Sequence, residues 1–285
     1  MARMRGCCVL ACAVLAASLA ACVTVPERQH ALVLQSDGTV AQEPLGCDDP
    51  KVPRPPAAGA LDPGIIRMAS WNLHKEADPG WQSDLGRLVA RSDLVLLQEA
   101  GVSPELRRVV EGKGFSWLLS SAFSYLGFEY GVLTATRVGP ASACILRANE
   151  PLLGIPKAAL ITYYRLVQRD ATLAVVNLHA INFTLGTAAY AAQLEAIADA
   201  LARHSGPIVV GGDFNTWSDE RMEVVRAIAE RLSLSPVAFD VDERKRFMGR
   251  VFDRVYVRGI EVLGASAWPV RSSDHNPVLV SLRVR

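Results

Sequence analysis

Four polar residues that could do chemistry each stand at the end of an apolar stretch: Asn72, Glu99, His179 and Asp213. The stretch before Asp213 is rich in β-branched residues and ends in two glycines, which predicts a buried strand followed by a close approach of backbone or ligand. Asn215 lies two residues beyond Asp213, so in an extended chain both side chains face the same way. Sites in α/β proteins lie beyond strand ends, although Gly, Asp and Asn also form ordinary turns.

A second acid and a second histidine occur near the carboxyl terminus. Asp253 lies inside an otherwise apolar strand predicted over residues 252–257, where an unpaired acid would be costly. His275 follows Asp274 just before the last predicted strand and is the natural partner for Asp253. A positioned acid or base typically contributes about 10²–10⁴-fold to a rate, so this pair is a candidate for catalysis.

The elements that must position these residues alternate irregularly between strands and helices. The stretch from 93 to 99 is almost continuously apolar, which indicates a strand buried on both faces. Further strands are predicted at 65–73, 130–136, 142–146, 158–166, 171–178, 252–257, 260–267 and 278–284, and helices at 81–91, after 103, at 187–204 and after 218. We infer an α/β fold of two sheets packed face to face with helices outside. Loops near 120–130, 146–158 and 180–187 would set specificity.

The first residues have the pattern of an export signal. A positively charged start is followed by an apolar run of small residues and leucines from Cys7 to Ala21. The run ends in Leu19-Ala20-Ala21-Cys22, which resembles the lipobox of bacterial lipoproteins and implies cleavage before Cys22 and lipidation of that residue. An uncleaved membrane anchor is the alternative. The two positions after Cys22 hold Val23 and Thr24. Neither is the aspartate that would resemble an inner-membrane retention signal, so the outer membrane is favoured.

Residues 22–64 are predicted to be a tether between this anchor and a domain at 65–285. The stretch from 23 to 64 holds seven prolines and little apolar periodicity. After signal removal and lipidation of Cys22, Cys47 and Cys144 remain, so an export compartment favours a disulfide between them, with two free thiols as the alternative. The net charge of +1 gives no basic footprint for nucleic-acid binding, without excluding such a substrate.

Six short motifs then carry a family resemblance. In chain order they are Ser70-Trp71-Asn72, Leu97-Gln98-Glu99, Asn177-Leu178-His179, Gly212-Asp213-Phe214-Asn215, Phe252-Asp253 with Val255-Tyr256-Val257, and Ser273-Asp274-His275. Over residues 65–285 this order resembles the endonuclease/exonuclease/phosphatase superfamily, which includes deoxyribonucleases, and residues 177–217 are similar to its bacterial YafD-like branch. The resemblance implies a four-layer α/β/β/α sandwich and metal-dependent phosphoester hydrolysis.

The resemblance also implies metal ligands. Glu99 corresponds to the principal Mg²⁺ ligand, with Mn²⁺ as an alternative ion. Asn72 would lie beside it on metal or phosphate, and Asp274 would be a second-site or outer-shell carboxylate. The residue types agree, because Mg²⁺ takes hard oxygen ligands with water completing its shell, and no Cys/His cluster in the sequence suggests zinc.

The same resemblance implies roles for the catalytic residues. Asp213 would orient or deprotonate the attacking water, and Asn215 would hold water and phosphate. His275, held by Asp253, would contact the scissile phosphate, and His179 corresponds to the second histidine of the deoxyribonuclease and sphingomyelinase branches.

Two further residues are candidates for the substrate site. Glu129 corresponds to a glutamate that pairs with the second histidine in deoxyribonucleases, with a solvated loop acid as the alternative. Arg250 could reach phosphate, with a surface salt bridge as the alternative.

The resulting prediction is an exported, lipid-anchored, Mg²⁺-dependent phosphodiesterase with a monomeric domain. A nuclease is the leading kind because nucleases dominate the superfamily. A phospholipid or sphingomyelin phosphodiesterase, a phosphomonoesterase and a non-catalytic binding lipoprotein are the alternatives. The partners are therefore a nucleic-acid or phospholipid phosphodiester and a membrane, while the substrate, endo or exo cleavage and the number of metals stay open.

Overall fold

The computed structural model describes residues 23–47 and 59–285. In this part of the chain the α-helices are α1 (Trp81–Arg91), α2 (Pro104–Glu111), α3 (Ala188–Leu201) and α4 (Asp219–Arg231), with a 3₁₀ turn at His74–Glu76. The strands are β1 (Val23–Thr24), β2 (Ala31–Leu34), β3 (Val40–Glu43), β4 (Ile66–Asn72), β5 (Leu94–Gly101), β6 (Ser116–Tyr125), β7 (Phe128–Thr136), β8 (Ser142–Asn149), β9 (Pro156–Leu166), β10 (Arg169–His179), β11 (Ile208–Asp213), β12 (Ser235–Pro236), β13 (Arg246–Phe247), β14 (Arg250–Val251), β15 (Asp253–Arg258), β16 (Ile260–Ala267) and β17 (Val278–Val284).

These strands form two large mixed sheets. The first sheet has the order β16-β17-β4-β5-β7-β6-β2-β3, with β1 added to β6. The second sheet has the order β12-β15-β11-β10-β9-β8, and β13 and β14 form a separate small hairpin. Neighbours β4 and β5 run parallel in the first sheet, and β10 and β11 run parallel in the second. The other strand pairs are antiparallel, and six of them join strands that are consecutive in the chain, which explains why the sequence showed strand pairs rather than strict alternation with helices.

The two sheets pack face to face and carry helices on their outer faces. Met68 and Leu96 of the first sheet bury against Val175 and Val209 of the second, which forms the central core. A separate core packs α1 and α2 on the outer face of the first sheet, and another packs α3 and α4 on the outer face of the second. The predicted four-layer α/β/β/α sandwich is confirmed.

Helix starts follow the capping signals in the sequence. The Ser103 hydroxyl accepts the backbone N–H of Leu106 at 3.1 Å, and Pro104 occupies the first turn of α2. Ser218 caps α4 in the same way, accepting the N–H of Arg221 at 3.3 Å. A side-chain oxygen at this position satisfies a backbone donor that the helix itself leaves unpaired.

The prediction of a tether over residues 22–64 is wrong for the described residues 23–47. β2 pairs with β6 and β3, and Ala31 and Val33 are buried between the two sheets. Leu61, further along the predicted tether, is also buried and bridges to Leu166. The prolines lie outside the short strands of this segment, so their number hid the apolar stretch of β2 and the strand β3 that pairs with it.

Other boundaries also differ from the predictions. The stretch 116–125, whose last residues were predicted to be loop, is strand β6, and the turn that follows it is confined to residues 126–127. The signal sequence and Cys22 lie outside the described residues. Within residues 23–47 and 59–285, no helix has the length and apolar character needed to cross a membrane.

The predicted disulfide is confirmed. Cys47 and Cys144 are bonded, with their Cα atoms 4.8 Å apart. Cys144 lies on β8 of the second sheet, whereas Cys47 follows the strands that the N-terminal segment adds to the first sheet. The bond therefore ties the N-terminal segment across both sheets.

Candidate active site

Polar residues from both sheets meet where parallel strands end. In the first sheet Asn72 lies opposite Gln98, next to Glu99, and in the second sheet His179 lies opposite Asp213. Because both parallel pairs point their carboxyl ends to the same side of the sandwich, the predicted residues from distant parts of the chain line one cleft of about 800 Å³.

A polar contact between the sheets lies directly beneath this cleft. The Gln98 amide donates to Asn177 Oδ1 at 2.7 Å, and Asn177 Nδ2 donates to the carbonyls of Leu97 and Leu133 at 3.1 and 2.9 Å. Both amide side chains are fully buried. Gln98 Oε1 is buried without a hydrogen-bond partner in the described part of the chain, so the network is satisfied only through its donors and Asn177 Oδ1. The bonds that are made restrict how the two sheets can meet beneath the cleft.

Asp213 is at the centre of the site. Its Oδ2 accepts Asn72 Nδ2 at 3.1 Å, and its Oδ1 accepts the backbone N–H of Asn215 at 3.0 Å. His179 Nε2 and His275 Nε2 lie 3.5 and 3.8 Å from the same Oδ2. One carboxylate oxygen is thus shared by an amide and two imidazoles from three other elements.

Glycine at position 212 allows the backbone to place Asp213 at this point. Its φ is +143°, and a Cβ added there would lie 2.0 Å from the carbonyl oxygen of Leu178 on the neighbouring strand. No other residue type fits so close to a backbone atom. Of the two glycines that precede Asp213, the second is therefore required sterically.

Burial raises the pKa of Asp213 to about 6, with the negative charge of Asp253 adding to the effect against the opposing charge of His275. The side chain is 2 % exposed. A carboxyl group with a pKa near neutral can accept a proton from water and release it again, which is the property of a general base.

His275 pairs with Asp253 on the other side of the cleft. The imidazole Nδ1–H donates to both carboxylate oxygens of Asp253, at 3.1 and 2.8 Å. Burial lowers the pKa of His275, but the charges of Asp253 and Asp213 outweigh it and raise the pKa to about 10. His275 is therefore a cation at neutral pH, with Nε2–H directed at the Asp213 side of the cleft.

Glu99 lies among cations. Lys75 forms an ion pair with Glu99 Oε2, and Lys157 Nζ and His179 Nε2 lie 3.8 Å from Oε1. Burial raises the pKa of Glu99, but His179, Lys75 and Lys157 outweigh it and hold the pKa at about 2. The residue has a φ of +51° at an irregularity in the pairing of β5 with β7, an uncommon backbone for a non-glycine residue.

His179 is neutral at neutral pH, whereas His275 is a cation. Burial, with the nearby Lys157 ammonium, holds the pKa of His179 well below its usual value. Lys157 Nζ lies 3.0 Å from His179 Nε2 and donates to it, so the imidazole proton is on Nδ1. At neutral pH the lysines therefore carry the positive charge beside Glu99 and His179 is a neutral polar group, so His179 lowers the pKa of Glu99 only in the protonated form that it takes at acid pH.

The donor set was tested for a divalent ion. Within the described residues no three carboxylate, histidine or cysteine side chains converge as a preformed metal site. Glu99, Asp274 and the Asn72 amide nevertheless line the same cleft and supply hard oxygens, which fit an ion such as Mg²⁺ that keeps several waters. The half-exposed Lys75 holds the Glu99 carboxylate and would have to yield to an ion there.

Two predicted residues do not belong to the site. Glu129 was predicted to pair with the second histidine, but it accepts His30 Nε2 at 2.6 Å and Gln42 Nε2 at 3.1 Å. Its partners come from the N-terminal segment, which the sequence did not place in the sheet. Arg250 donates to Asp219 at 2.9 Å on the surface, so the salt bridge is found and not a phosphate contact.

Asp274 and Asn215 do line the cleft. The Asp274 side chain is 59 % exposed, with Oδ1 4.0 Å from Nδ1 of His74. Asn215 donates through Nδ2 to the carbonyl of Ala180 at 2.9 Å, and its φ of +48° turns the chain away from β11. That bond fixes the amide plane beside Asp213.

Sequence reasoning missed Lys75 and Lys157. Lys75 follows Asn72 by three residues in the 3₁₀ turn, and Lys157 lies in the loop-to-strand transition at the start of β9. Lys75 could have been predicted, because it lies three residues after Asn72, the amide at the end of a strand. Nothing local distinguished the second, because its role depends on β9 lying beside β10.

The fold and the site together define a phosphoester hydrolase of the deoxyribonuclease-like class. Residues 69–275 match the Endonuclease/Exonuclease/phosphatase family. The chain belongs to this family, whose members hydrolyse phosphoesters and generally use divalent metal ions.

Similar proteins from other bacteria indicate the branch of this family to which the chain is related. The chain is 39 % identical over 263 residues to a UPF0294 protein of Vibrio parahaemolyticus serotype O3:K6, covering 90 % of each chain. It is 43 % identical over 216 residues to a UPF0294 protein of Klebsiella pneumoniae strain 342, covering 75 % of this chain and 81 % of that one. These are the YafD-like proteins that the sequence indicated. The solved endonuclease/exonuclease/phosphatase from Bacteroides vulgatus has a TM-score of 0.61 at 18 % identity, covering 78 % and 99 %, and shares the fold.

Proposed function

We propose that the protein is a divalent-metal-dependent phosphodiesterase, with Mg²⁺ as the ion. The observation that carries the proposal is the environment of Asp213, a buried carboxylate with a pKa of about 6 whose Oδ2 lies 3.8 Å from the cationic His275. A base and a cation so close together can act on the two partners of a hydrolysis, water and phosphate.

The residues have complementary roles in the proposal. Asp213 takes the proton of a water molecule as that water attacks phosphorus, and Asn215 and Asn72 orient the water and a phosphate oxygen. His275, held as a cation by Asp253, neutralises charge that develops on the phosphate. Preorganised charges of this kind are worth more in a closed cleft than in water.

Metal binding would involve Glu99, Asn72 and Asp274, with the Lys75 ammonium displaced from Glu99. When bound, the ion would polarise the phosphate oxygens as a Lewis acid. Lys157 stays beside Glu99 and His179 and supplies a fixed positive charge to the substrate phosphate.

The test is turnover of a soluble phosphodiester, bis(4-nitrophenyl) phosphate, by the full chain with Mg²⁺ or Mn²⁺ added. Replacing Asp213 by asparagine keeps the shape and removes the base, so kcat is expected to fall by at least about 10²-fold. Asp170→Asn, exposed at the start of β10, is the matched control and should keep full activity. Equal activity of wild type and Asp213→Asn would refute the assignment.

A further inference from the structure

The cleft extends from its polar end into a long apolar portion, which we call the apolar arm. The polar end holds Glu99, His179, Asp213 and the two lysines described above. The apolar arm is lined by Val23, Val25, Phe123, Tyr125, Leu153 and Ile155. A phosphate at the polar end would therefore have apolar side chains within the same cleft.

The first described residues form one lip of the apolar arm. Val23 on β1 pairs with Tyr125 on β6, and both side chains line the arm. Cys22, the predicted site of lipidation, precedes Val23 in the sequence and lies outside the described residues.

The described residues 23–47 of the predicted tether lie in the first sheet, because β1 adds to β6, and β2 and β3 follow it in the same sheet. If Cys22 is acylated as the sequence predicts, the lipid would be attached one residue before a strand that lines the cleft.

Exposed apolar side chains lie at three connections, and Tyr125, Leu153 and Phe183 at these connections line the cleft. Leu126 and Phe128 lie at the β6–β7 hairpin, Leu152 and Leu153 between β8 and β9, and Phe183 and Leu185 after β10. Leu185 is 84 % exposed and Leu126 64 % exposed. Apolar side chains grouped at the rim of a cleft are typical of surfaces that contact lipid or a partner, rather than of a freely solvated face.

The charges of the cleft suit one phosphate. Lys75 and Lys157 are the lysines that line it in the described part of the chain, and the arm beyond them is apolar. A nucleic-acid strand presents a row of phosphates and needs a row of cations along its path. An amphiphile with a single phosphodiester needs cations at one end and apolar surface at the other.

We propose that the substrate is a membrane phospholipid, with its phosphodiester between Glu99, His179 and His275 and its apolar portion in the apolar arm, while the rim rests on the bilayer. The proposal rests on the proposed phosphodiesterase function. The oxygen of water forms a bond to phosphorus, the bond from phosphorus to one ester oxygen breaks, and that oxygen takes a proton. The products are a phosphate monoester and an alcohol, and no oxidant or reductant is needed.

The experiment compares three substrates with the full, membrane-extracted chain and Mg²⁺. These are vesicles of dioleoyl phosphatidylglycerol and phosphatidylethanolamine, soluble bis(4-nitrophenyl) phosphate, and a single-stranded DNA oligonucleotide. Products are identified by mass spectrometry. We expect the vesicle lipids to be hydrolysed at least about tenfold faster than the oligonucleotide, at equal phosphodiester concentration.

Two variants test the surface. Leu153→Asp puts a carboxylate at an exposed position of the arm, where it is solvated in free protein and costly against lipid, so the ratio of vesicle turnover to soluble turnover should fall at least about tenfold. Val167→Asp is the matched control, exposed at the β9–β10 turn, the end of these strands opposite the cleft, and should leave both rates unchanged.

The outcomes separate the two proposals. Loss of all turnover, with soluble phosphodiester included, refutes the phosphodiesterase function and the lipid proposal with it. Turnover of the soluble compound without vesicle hydrolysis, or with preferred cleavage of the oligonucleotide, leaves the phosphodiesterase standing and overturns the lipid substrate. An unchanged ratio in Leu153→Asp overturns it as well.

Discussion

Asp213 and His275 lie side by side with their pKa values moved in the same direction and for different reasons. Burial raises the pKa of the carboxyl to about 6, whereas two carboxylates raise the pKa of the imidazole to about 10. The result at neutral pH is a base that can take a proton next to a cation that holds one. Asp253 is what separates the two roles, because it supplies the charge that keeps His275 protonated.

We predict the pH at which His275 loses its proton in metal-free protein. In the wild type the imidazole stays charged as pH rises through neutrality and loses its proton only near pH 10. Asp253→Asn removes the larger attractive charge while burial continues to lower the pKa, so the midpoint should fall by more than one pH unit. NMR of the imidazole Cε1–H measures it. Asp170→Asn should leave the midpoint in place, and a wild-type midpoint near 6.5 would contradict the assignment.

Single residues differ in how well the sequence revealed them. Asn72, Glu99, His179 and Asp213 could be found because each interrupts an apolar stretch at its end, a pattern that local sequence carries. Lys157 could not be found, since its contact with His179 depends on which strand lies next to β10. Glu129 was misassigned for the same reason: its partner His30 belongs to a segment that was not expected in the sheet.

Among the elements, β11 carries the strongest steric constraint. It lies in the middle of the second sheet, between β10 and β15, and it delivers Asp213 at its end. At Gly212, within β11, the backbone lies so close to β10 that an added Cβ would meet the Leu178 carbonyl oxygen. The direction of the Asp213 carboxylate therefore depends on this backbone packing.

We predict that Gly212→Ala is severely destabilising. The added Cβ would lie 2.0 Å from the Leu178 carbonyl oxygen, and the φ of +143° is strained for alanine, so the free energy of unfolding should fall by more than about 2 kcal/mol. Urea unfolding measures it. Gly86→Ala in α1 is the matched control, because its Cβ would meet only Val109 at 4.0 Å, and it should be neutral or stabilising by up to about 1 kcal/mol. Equal stability of the two variants would contradict the steric argument.

The long strands and the helices were readable because their apolar periodicity or capping residues extend over many positions. The short strands β2 and β3 were not, since four residues each give no period to detect and prolines surround them. β6 was missed because serines and aromatics alternate with apolar residues only in part of its length. Each of these strands is stabilised by its neighbours in the sheet, which is information held elsewhere in the chain.

At the scale of the whole molecule, the two halves are joined by three kinds of contact. The central apolar core fills the space between the sheets, the amides of Gln98 and Asn177 link them beneath the cleft, and the disulfide links the N-terminal segment to β8. Two sheets packed face to face with helices outside could be inferred from the sequence because the strand stretches were too apolar to face water on both sides, and the family resemblance implied the four-layer arrangement. The relative placement of the sheets required the structure.

We predict that the disulfide stabilises the molecule by about 2–4 kcal/mol. It joins residues 97 positions apart and so limits the unfolded chain strongly. Cys47→Ser should lower the free energy of unfolding by that amount in urea titrations without reductant. Adding reductant should lower the free energy of unfolding of the wild type to that of the variant and leave the value of the variant unchanged. A wild type insensitive to reductant would show that the bond carries no stability.

The Lys75–Glu99 ion pair has a consequence for how the protein is assembled. An ammonium group already balances the carboxylate that would hold the ion in the proposed function. If Glu99 takes an ion as we propose, the cleft can fold before the ion binds, and a chelator is expected to remove the ion without unfolding the scaffold. Binding would then exchange one cation for another at Glu99, and the Lys75 ammonium would return to the carboxylate when the ion leaves.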